Sequence, residues 1–428
     1  MKRVFSFIGV HDYKPCYYKR GGYTTKKTCF AQVGLLEILT KEGHNIEEVV
    51  AFATDEARAK NGDKLCAELR ANGYENSCRF VKIVDKVTDD KIWDLFEAVY
   101  NEINPGDTIF FDVTHGFRSF PITVLAVLYY SRVLDSIKIG GIYYGNFEAH
   151  EEIGEDMYAP LDELTDLLAF LDWTYGIDTF LKTGSPRAIE PLVSTSESRR
   201  EAATAEKSEE SGSVLEALKG FTRSLETCKS ISFQKHARNL KNAVRSSDLA
   251  GLPYRKPLEK LLDLVEKKME PFTGDPIMDP YYAVQWCIDH GLTQQAYTML
   301  IEHVVTVLCL LTGENVSSTS KRLSVQRYLS EDELVRKLKE LAEIRPRKRD
   351  AIMDLVEFFG RHSEIVESIS NLKTGRNSLN HAEYTSKQPS SEEFHKEITE
   401  IFKTLEPFFR YAKANLFRSN TTHAKKER

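Results

Sequence analysis

The sequence lacks the signatures of the commonest cofactor- and metal-dependent enzymes. It has no Gly-x-Gly-x-x-Gly fingerprint after its first apolar segment and no P-loop, which argues against a nicotinamide dehydrogenase or an NTPase. It has no HExxH, no His-x-His and no carboxylate cluster to suggest a metal, and no Gly-x-Ser-x-Gly to suggest a serine hydrolase. We therefore expect neither a metal site nor a cofactor.

Cysteine pairs and long apolar runs are also missing. The seven cysteines are odd in number and never form a Cys-x-x-Cys, as expected for reduced thiols of a cytosolic protein. The longest nearly unbroken apolar run, residues 120–130, is far shorter than the ~18–20 residues of a membrane span. The opening MKRVFSFIGV is too short in its apolar part for a secretory signal. We predict a cytoplasmic protein without membrane contact.

Charge is present in both signs but is distributed unevenly. The net charge of −6 argues against a wholly basic nucleic-acid coat. The first 30 residues, however, hold seven Lys or Arg against the single Asp12. An anionic ligand near that end of the chain is therefore plausible.

The 428 residues are enough for two or three domains, and their pattern changes along the chain. Up to residue 145, strand-like runs (VFSFIGV, VVAFAT, FVKIVD, IFFDV and IKIGGIYYG) alternate with helical segments. This alternation predicts a Rossmann-like α/β domain with a parallel, doubly wound sheet over residues 1–160. From residue 161, beginning LDELTDLLAFLDWTYGIDTFL, the periodicity is almost wholly helical. We predict a helical linker over 161–274, with a flexible polar loop at 185–213, and an all-α bundle over 275–428.

The stretch IFFDVTHGFRSFPI, residues 109–122, is the strongest candidate for a ligand site in the first domain. It reads as a buried strand, a short glycine loop and a helix that begins near Pro121, an arrangement that offers backbone N–H groups to an anion. A second loop, GVHDY at 9–13, follows the first strand, and the two loops form one crevice if their strands are neighbours. Lys14, Lys19 and Arg20 could add cationic contacts. The competing interpretation is a packing turn beside a solvated surface loop.

The segment TGRNSLNHAE, residues 374–383, is the sharpest candidate for catalysis. Gly375 is interpreted as the entry to a helix on which Asn377 and His381, four residues apart, share a face, with Arg376 at one edge. Metal-independent RNA cleavage needs a histidine that moves protons, an arginine that holds the phosphate and an amide that orients either of them. A dimer would supply the second histidine. The alternative is an exposed capping segment with a surface histidine.

A basic run at 345–349 is a further candidate for contact with an RNA backbone. A solvated loop is the commoner explanation for such a run.

The chain resembles the CRISPR-associated CARF–HEPN ribonucleases, in the branch with a D-x-T-H-G-F-R-S signature. The resemblance is carried by four stretches that occur in this order: DVTHGFRSFP, YYGNFEA, WCIDHGLTQQAYTMLIEH and RNSLNHAE. The resemblance implies a type III CRISPR homodimer. Its N-terminal CARF domain would bind a cyclic oligoadenylate, expected to be the tetra-adenylate, and its C-terminal HEPN domain would cleave single-stranded RNA without metal. The motif R-N-x-x-x-H then falls on Arg376, Asn377 and His381 as catalytic residues. The ligand loops fall on Gly9, Val10, Tyr13, Thr114, His115, Gly116, Phe117 and Arg118, although the first loop reads GVHDY where the family pattern is closer to GTGNY.

Two alternatives to this function remain open. The chain could be a non-catalytic sensor or scaffold that binds the cyclic nucleotide, or an RNase that also degrades its own activator. Ring size, base preference and basal activity are not encoded in any motif of the sequence.

Overall fold

The computed structural model describes residues 1–74, 78–84, 91–116, 119–192, 214–246, 253–381 and 389–424. The chain divides into two compact units, Met1–Ala169 and Phe170–Arg428. The predicted three-part division at residues 160 and 274 stays a prediction, and residues 193–213 of the predicted flexible loop lie outside the described ranges.

The first unit is built on a mixed β-sheet. Its strands are β1 Lys2–Phe7, β2 Tyr17–Arg20, β3 Tyr23–Thr24, β4 Glu48–Ala53, β5 Cys78–Lys82, β6 Thr108–Asp112, β7 Lys138–Gly145, β8 Glu151–Ile153 and β9 Asp156–Glu163. Along the sheet the order is β3-β2-β9-β7-β6-β1-β4-β5, and β8 pairs with β9. The parallel part, β7-β6-β1-β4-β5, confirms the predicted doubly wound sheet.

Helices cover both faces of this parallel part. They are α1 Ala31–Lys41, α2 Asp55–Ala57, α3 Asp63–Ala71, α4 Ile92–Tyr100 and α5 Phe120–Leu134, with a π-helical turn at Arg58–Gly62 between α2 and α3. Alternate residues of β1 show the two faces: Val4 packs in the core that contains α1 and α3, whereas Phe5 and Phe7 pack in the core that contains α4 and α5. Strands buried on both faces have to be apolar throughout, which is why these runs were recognisable in the sequence.

The sheet is extended by strands that the sequence did not predict. β9 runs antiparallel to β7 and carries β2 on its other side, and β8 pairs with the first residues of β9 on the side opposite β2. Leu161–Glu163 therefore belongs to a strand, and the helix α6 Thr165–Thr183 begins only after it. The prediction of a helix from residue 161 is wrong by four residues because β9 alternates buried and partly exposed positions, a weaker signal than a fully buried strand.

The second unit is helical, as predicted. Its further helices are α7 Val214–Glu226, α8 Ser230–Arg245, α9 Arg255–Lys268, α10 Met278–Asp289, α11 Thr293–Thr312, α12 Thr319–Arg327, α13 Glu331–Ile344, α14 Arg349–Arg361, α15 Ser363–Asn380 and α16 Ser391–Ala424. Among the described residues, α11 is the one helix long and apolar enough to cross a membrane, and 72% of its apolar window is buried inside the protein. That burial is typical of the core helix of a bundle.

Candidate functional site

Two loops meet where the adjacent parallel strands β1 and β6 end. Ser6 of β1 pairs with Asp112 of β6, and β4 lies on the other side of β1. The chain connections thus diverge between β1 and β6, which is where open α/β sheets bind their ligands. The structure brings the candidate residues of loop 9–13 to the same edge of the sheet as Thr114, His115 and Gly116. Phe117 and Arg118 lie outside the described residues.

The first loop is held by hydrogen bonds to its own backbone. The Gly9 N–H donates to the Tyr13 hydroxyl at 2.7 Å, and that hydroxyl donates back to the Gly9 carbonyl at 3.2 Å. The Asn61 side-chain amide donates to the carbonyls of Gly9 and His11, both at 2.9 Å. Asn61 is buried on the π-helical turn, and such turns are frequent at functional sites. Sequence reasoning missed Asn61, because no motif separates it from an ordinary helical asparagine.

The second loop is braced by the buried Asp112. One carboxylate oxygen accepts hydrogen bonds from the backbone N–H and the hydroxyl of Thr114, and the other accepts from Ser6 at 2.6 Å. The Thr114 hydroxyl in turn accepts from the Gly145 N–H at 2.7 Å. The predicted residue Thr114 therefore spends its hydroxyl on the shape of the loop.

Tyr13 and His115 join the two loops. Their rings stack with centroids 4.2 Å apart, and the edge of the Phe30 ring meets Tyr13 at 5.3 Å. Burial lowers the pKa of His115, and of the neighbouring groups Asp112 opposes this shift and His11 adds to it. The imidazole is therefore neutral at neutral pH. Its Nε2 atom is buried and has no hydrogen-bond partner among the described residues. An unused polar atom beside a stacked aromatic pair suits a nucleobase.

Gly116 needs to be glycine. Its φ of +113° is rare for any other residue, and a Cβ atom would lie 2.5 Å from the Phe120 ring at the start of α5. Val10, also predicted to bind ligand, is half-buried and packs against the core beneath the loop. The loop can therefore approach the N-terminal turn of α5, the end at which the helix dipole attracts anions.

The cations near this edge are mostly engaged elsewhere. Lys19 pairs with Glu151 at 3.4 Å, and Arg20 pairs with Glu42 at 3.3 Å and with Glu163. Both therefore connect β2 to its surroundings. Lys14 is exposed, and no ion pair of its side chain is found within the described ranges.

In the second unit, the catalytic candidates lie at the C-terminal end of α15. Arg376 is half-buried and its Nε atom is buried without a partner among the described residues, whereas Asn377 and His381 are exposed. The His381 N–H donates to the carbonyls of Asn377 at 3.2 Å and Ser378 at 3.1 Å, which ends the helix. The prediction that Gly375 begins this helix is wrong: α15 starts at Ser363, and Gly375 lies inside it.

Gly375 has a packing role instead. A Cβ atom there would lie 2.5 Å from the ring of Tyr297 on α11. Tyr297 is fully buried, and its hydroxyl donates to Glu397 at 2.7 Å and to the Phe394 carbonyl at 3.3 Å. Glycine thus lets α15 approach α11 closely at the residue before Arg376.

Part of the basic run at 345–349 is structural. Arg345 donates to the Thr312 carbonyl at 2.9 Å and pairs with Glu314, whereas Arg347 and Lys348 are exposed. No group of three or more His, Cys, Asp or Glu side chains that could hold a metal ion lies within the described ranges.

No protein-family profile matches this sequence. Over 273 residues the chain is 28% identical to a CRISPR-associated protein of Methanocaldococcus jannaschii. The chain is similar to a CRISPR-associated protein. The match covers 62% of the chain and 39% of the archaeal protein, so the chain spans about two fifths of that relative's length. The activity of this chain therefore has to be argued from its residues.

Proposed function

We propose that the chain is an endoribonuclease that cleaves single-stranded RNA without a metal ion and is activated by a cyclic oligoadenylate in type III CRISPR defence. The observation that carries the proposal is the end of α15, where Arg376, Asn377 and His381 occupy the last turn and a half of an otherwise well-packed helix. The CRISPR-associated relative supports the setting.

These residue types fit transesterification. The 2′-hydroxyl of one nucleotide attacks the adjacent phosphorus and loses its proton to a base, and the bond to the 5′-oxygen breaks as that oxygen takes a proton from an acid. The products are a 2′,3′-cyclic phosphate and a 5′-hydroxyl. His381 can serve as base or acid, the Arg376 guanidinium stabilises the extra charge on the phosphoryl oxygens, and the Asn377 amide orients either group.

The described residues of one chain supply a single histidine at this site, whereas the reaction moves two protons. A homodimer that places two α15 ends together supplies both the base and the acid. The homodimer is therefore part of the proposal.

The crevice between β1 and β6 is the proposed activator site, with cyclic tetra-adenylate as the expected ligand. Its features match an adenine ring and a phosphate: the Tyr13–His115 stack, the His115 Nε2 atom that has no partner among the described residues, and the N-terminal turn of α5. Any activation is limited by the difference in the ligand's affinity for the inactive and active states.

Replacement of His381 tests the catalytic site. With saturating cyclic tetra-adenylate, His381→Ala is expected to slow RNA cleavage by about 100-fold or more, because a general acid or base contributes about that much. Affinity for the cyclic nucleotide should not change. His362→Ala is the matched control, since His362 is a partly exposed histidine that caps the opposite end of the same helix.

Other results would lead elsewhere. Native cleavage by His381→Ala would show that the site is assigned wrongly. Tight ligand binding without any cleavage by the native chain would support the sensor or scaffold alternative. Disappearance of the ring during incubation would show that the chain also degrades its activator.

A further inference from the structure

A groove between α12 and α13 has the side chains expected of a site for single-stranded nucleic acid. The cavity is about 510 Å³, and Lys321, Ser324, Arg327 and Tyr328 line its α12 side. The Tyr328 ring is half-buried, so that one part is held by the protein and the rest faces the cavity. Aromatic rings that stack on bases, next to cations that meet phosphates, are the usual means of binding a single strand.

Each carboxylate that lines the groove is paired with a cation. The pairs are Glu314 with Arg345, Glu333 with Arg336 at 2.8 Å, and Glu340 with Lys337 at 2.8 Å. For Glu333 and Glu340 that cation is on α13 itself, and Glu314 is also met by Lys321 of α12 at 3.7 Å. Arg327 is exposed and has no carboxylate within ion-pair distance among the described residues. Its charge is therefore left over for a ligand.

The groove adjoins the helix that carries the catalytic candidates. The Lys373 ammonium of α15 donates to the Arg327 carbonyl at 3.0 Å, which fixes the end of α12 beside α15. Lys373, Asn377 and His381 follow at intervals of four residues, so they lie along one side of the helix over roughly 12 Å. Residues 368–381 contain no Asp or Glu. A side of α15 without carboxylates of its own thus leads from Lys373 at the groove to His381.

We propose that the α12–α13 groove and Lys373 bind the RNA strand beside the phosphate that is cleaved, with Tyr328 stacking on a base and Arg327 and Lys373 contacting phosphates. The inference rests on the proposed ribonuclease function and adds a positioning surface to it. A substrate that reaches the groove is held by these contacts, whereas a dinucleotide ends before it.

A purely structural role for Lys373 has to be separated from this one. Its bond to the Arg327 carbonyl also caps the last turn of α12, so Lys373→Ala alone could weaken the fold. Arg327→Ala leaves that carbonyl and its bond in place and removes only the guanidinium, for which the described part of the chain shows no ion pair. Lys403→Ala is the matched control, because Lys403 is an exposed lysine on α16 with no ion pair found among the described residues.

The test measures how RNA affinity depends on salt concentration, with cyclic tetra-adenylate present. It uses the whole chain carrying His381→Ala, so that the RNA stays intact. Arg327→Ala and Lys373→Ala should each lower the slope of log affinity against log salt by about 0.7, the value for one phosphate contact on a single strand. In the cleaving chain, Arg327→Ala should raise KM at least 5-fold for a long RNA with little change in kcat, and should leave cleavage of a dinucleotide unchanged. Lys403→Ala should match its parent chain throughout.

An unchanged salt slope and KM for Arg327→Ala would overturn the inference. Because affinity is measured on a chain that does not cleave, this result is independent of the proposed catalytic activity. A lowered slope in a protein whose native form never cuts RNA would uphold the binding surface and refute the ribonuclease function.

Discussion

Gly375→Ala is the substitution that most directly probes the packing behind the catalytic candidates. In an ordinary helix interior, alanine stabilises relative to glycine by about 1 kcal/mol. Here the new Cβ atom would lie 2.5 Å from Cε1 of the Tyr297 ring, 3.0 Å from Cζ and 3.1 Å from the hydroxyl oxygen. Tyr297 has no free space to retreat into, since it is fully buried and its hydroxyl is bonded to Glu397.

The expected cost follows from these two opposing effects. Overpacking a tight core costs roughly 1–3 kcal/mol, so the net change is a destabilisation of up to about 2 kcal/mol. Gly360→Ala on α14 isolates the propensity effect, because nothing lies within 4 Å of its Cβ position. Gly360→Ala should stabilise its helix by about 0.5–1 kcal/mol.

Amide hydrogen exchange measures both effects helix by helix in the intact chain. The free energy of opening α15 should fall in Gly375→Ala, and that of α14 should rise in Gly360→Ala. Displacement of the following residue, Arg376, should also lower kcat for RNA cleavage. Stabilisation of α15 by the same amount as α14 would refute the close approach of α15 to Tyr297.

Two further predictions concern the ligand loop and pH. Asn61→Ala removes two hydrogen bonds that hold Gly9 and His11, so affinity for cyclic tetra-adenylate, measured by calorimetry, should fall about 10-fold. Asn101→Ala, at the end of α4, is the control and should leave that affinity unchanged. Equal affinity of both variants for the cyclic nucleotide would contradict the role of Asn61. Burial lowers the pKa of His303 to about 4, below the ~6.5 of an unfolded histidine. As the pH drops, the unfolded chain therefore takes up a proton before the folded chain does. The free energy of unfolding should fall by roughly 1.4 kcal/mol per pH unit between about pH 6.5 and 4. The pH dependence of urea unfolding should be weaker in His303→Gln than in the native chain and unaffected in His362→Gln, and an unchanged pH dependence in His303→Gln would refute the reasoning.

The parallel part of the sheet was predictable because each of its strands is a short, nearly continuous apolar run. Strands β1 and β6 are neighbours, which confirms the condition under which loop 9–13 and residues 114–116 share one edge of the sheet. Strands β2 and β9 were missed because they lie towards the edge of the sheet, where only some positions are buried and the apolar pattern is diluted. Tertiary pairing, rather than local sequence, decides such strands.

The candidate residues show the same limit. The motif spacing identifies Arg376, Asn377 and His381, which lie at the C-terminal end of α15 and not after a helix entry. It misplaces Gly375, because a glycine at a helix entry and a glycine under a tyrosine ring look alike in one sequence. Asn61 and Tyr297 act through contacts with residues 50 to 100 positions away, which no local pattern reveals.

The central claim is most directly tested by incubating the native chain with a fluorescent single-stranded RNA in EDTA, with and without cyclic tetra-adenylate, and identifying the ends of the products. The account predicts cleavage only when the cyclic nucleotide is present, with 2′,3′-cyclic phosphate and 5′-hydroxyl ends. No cleavage despite tight binding of the cyclic nucleotide, or cleavage that needs an added divalent metal, would contradict it.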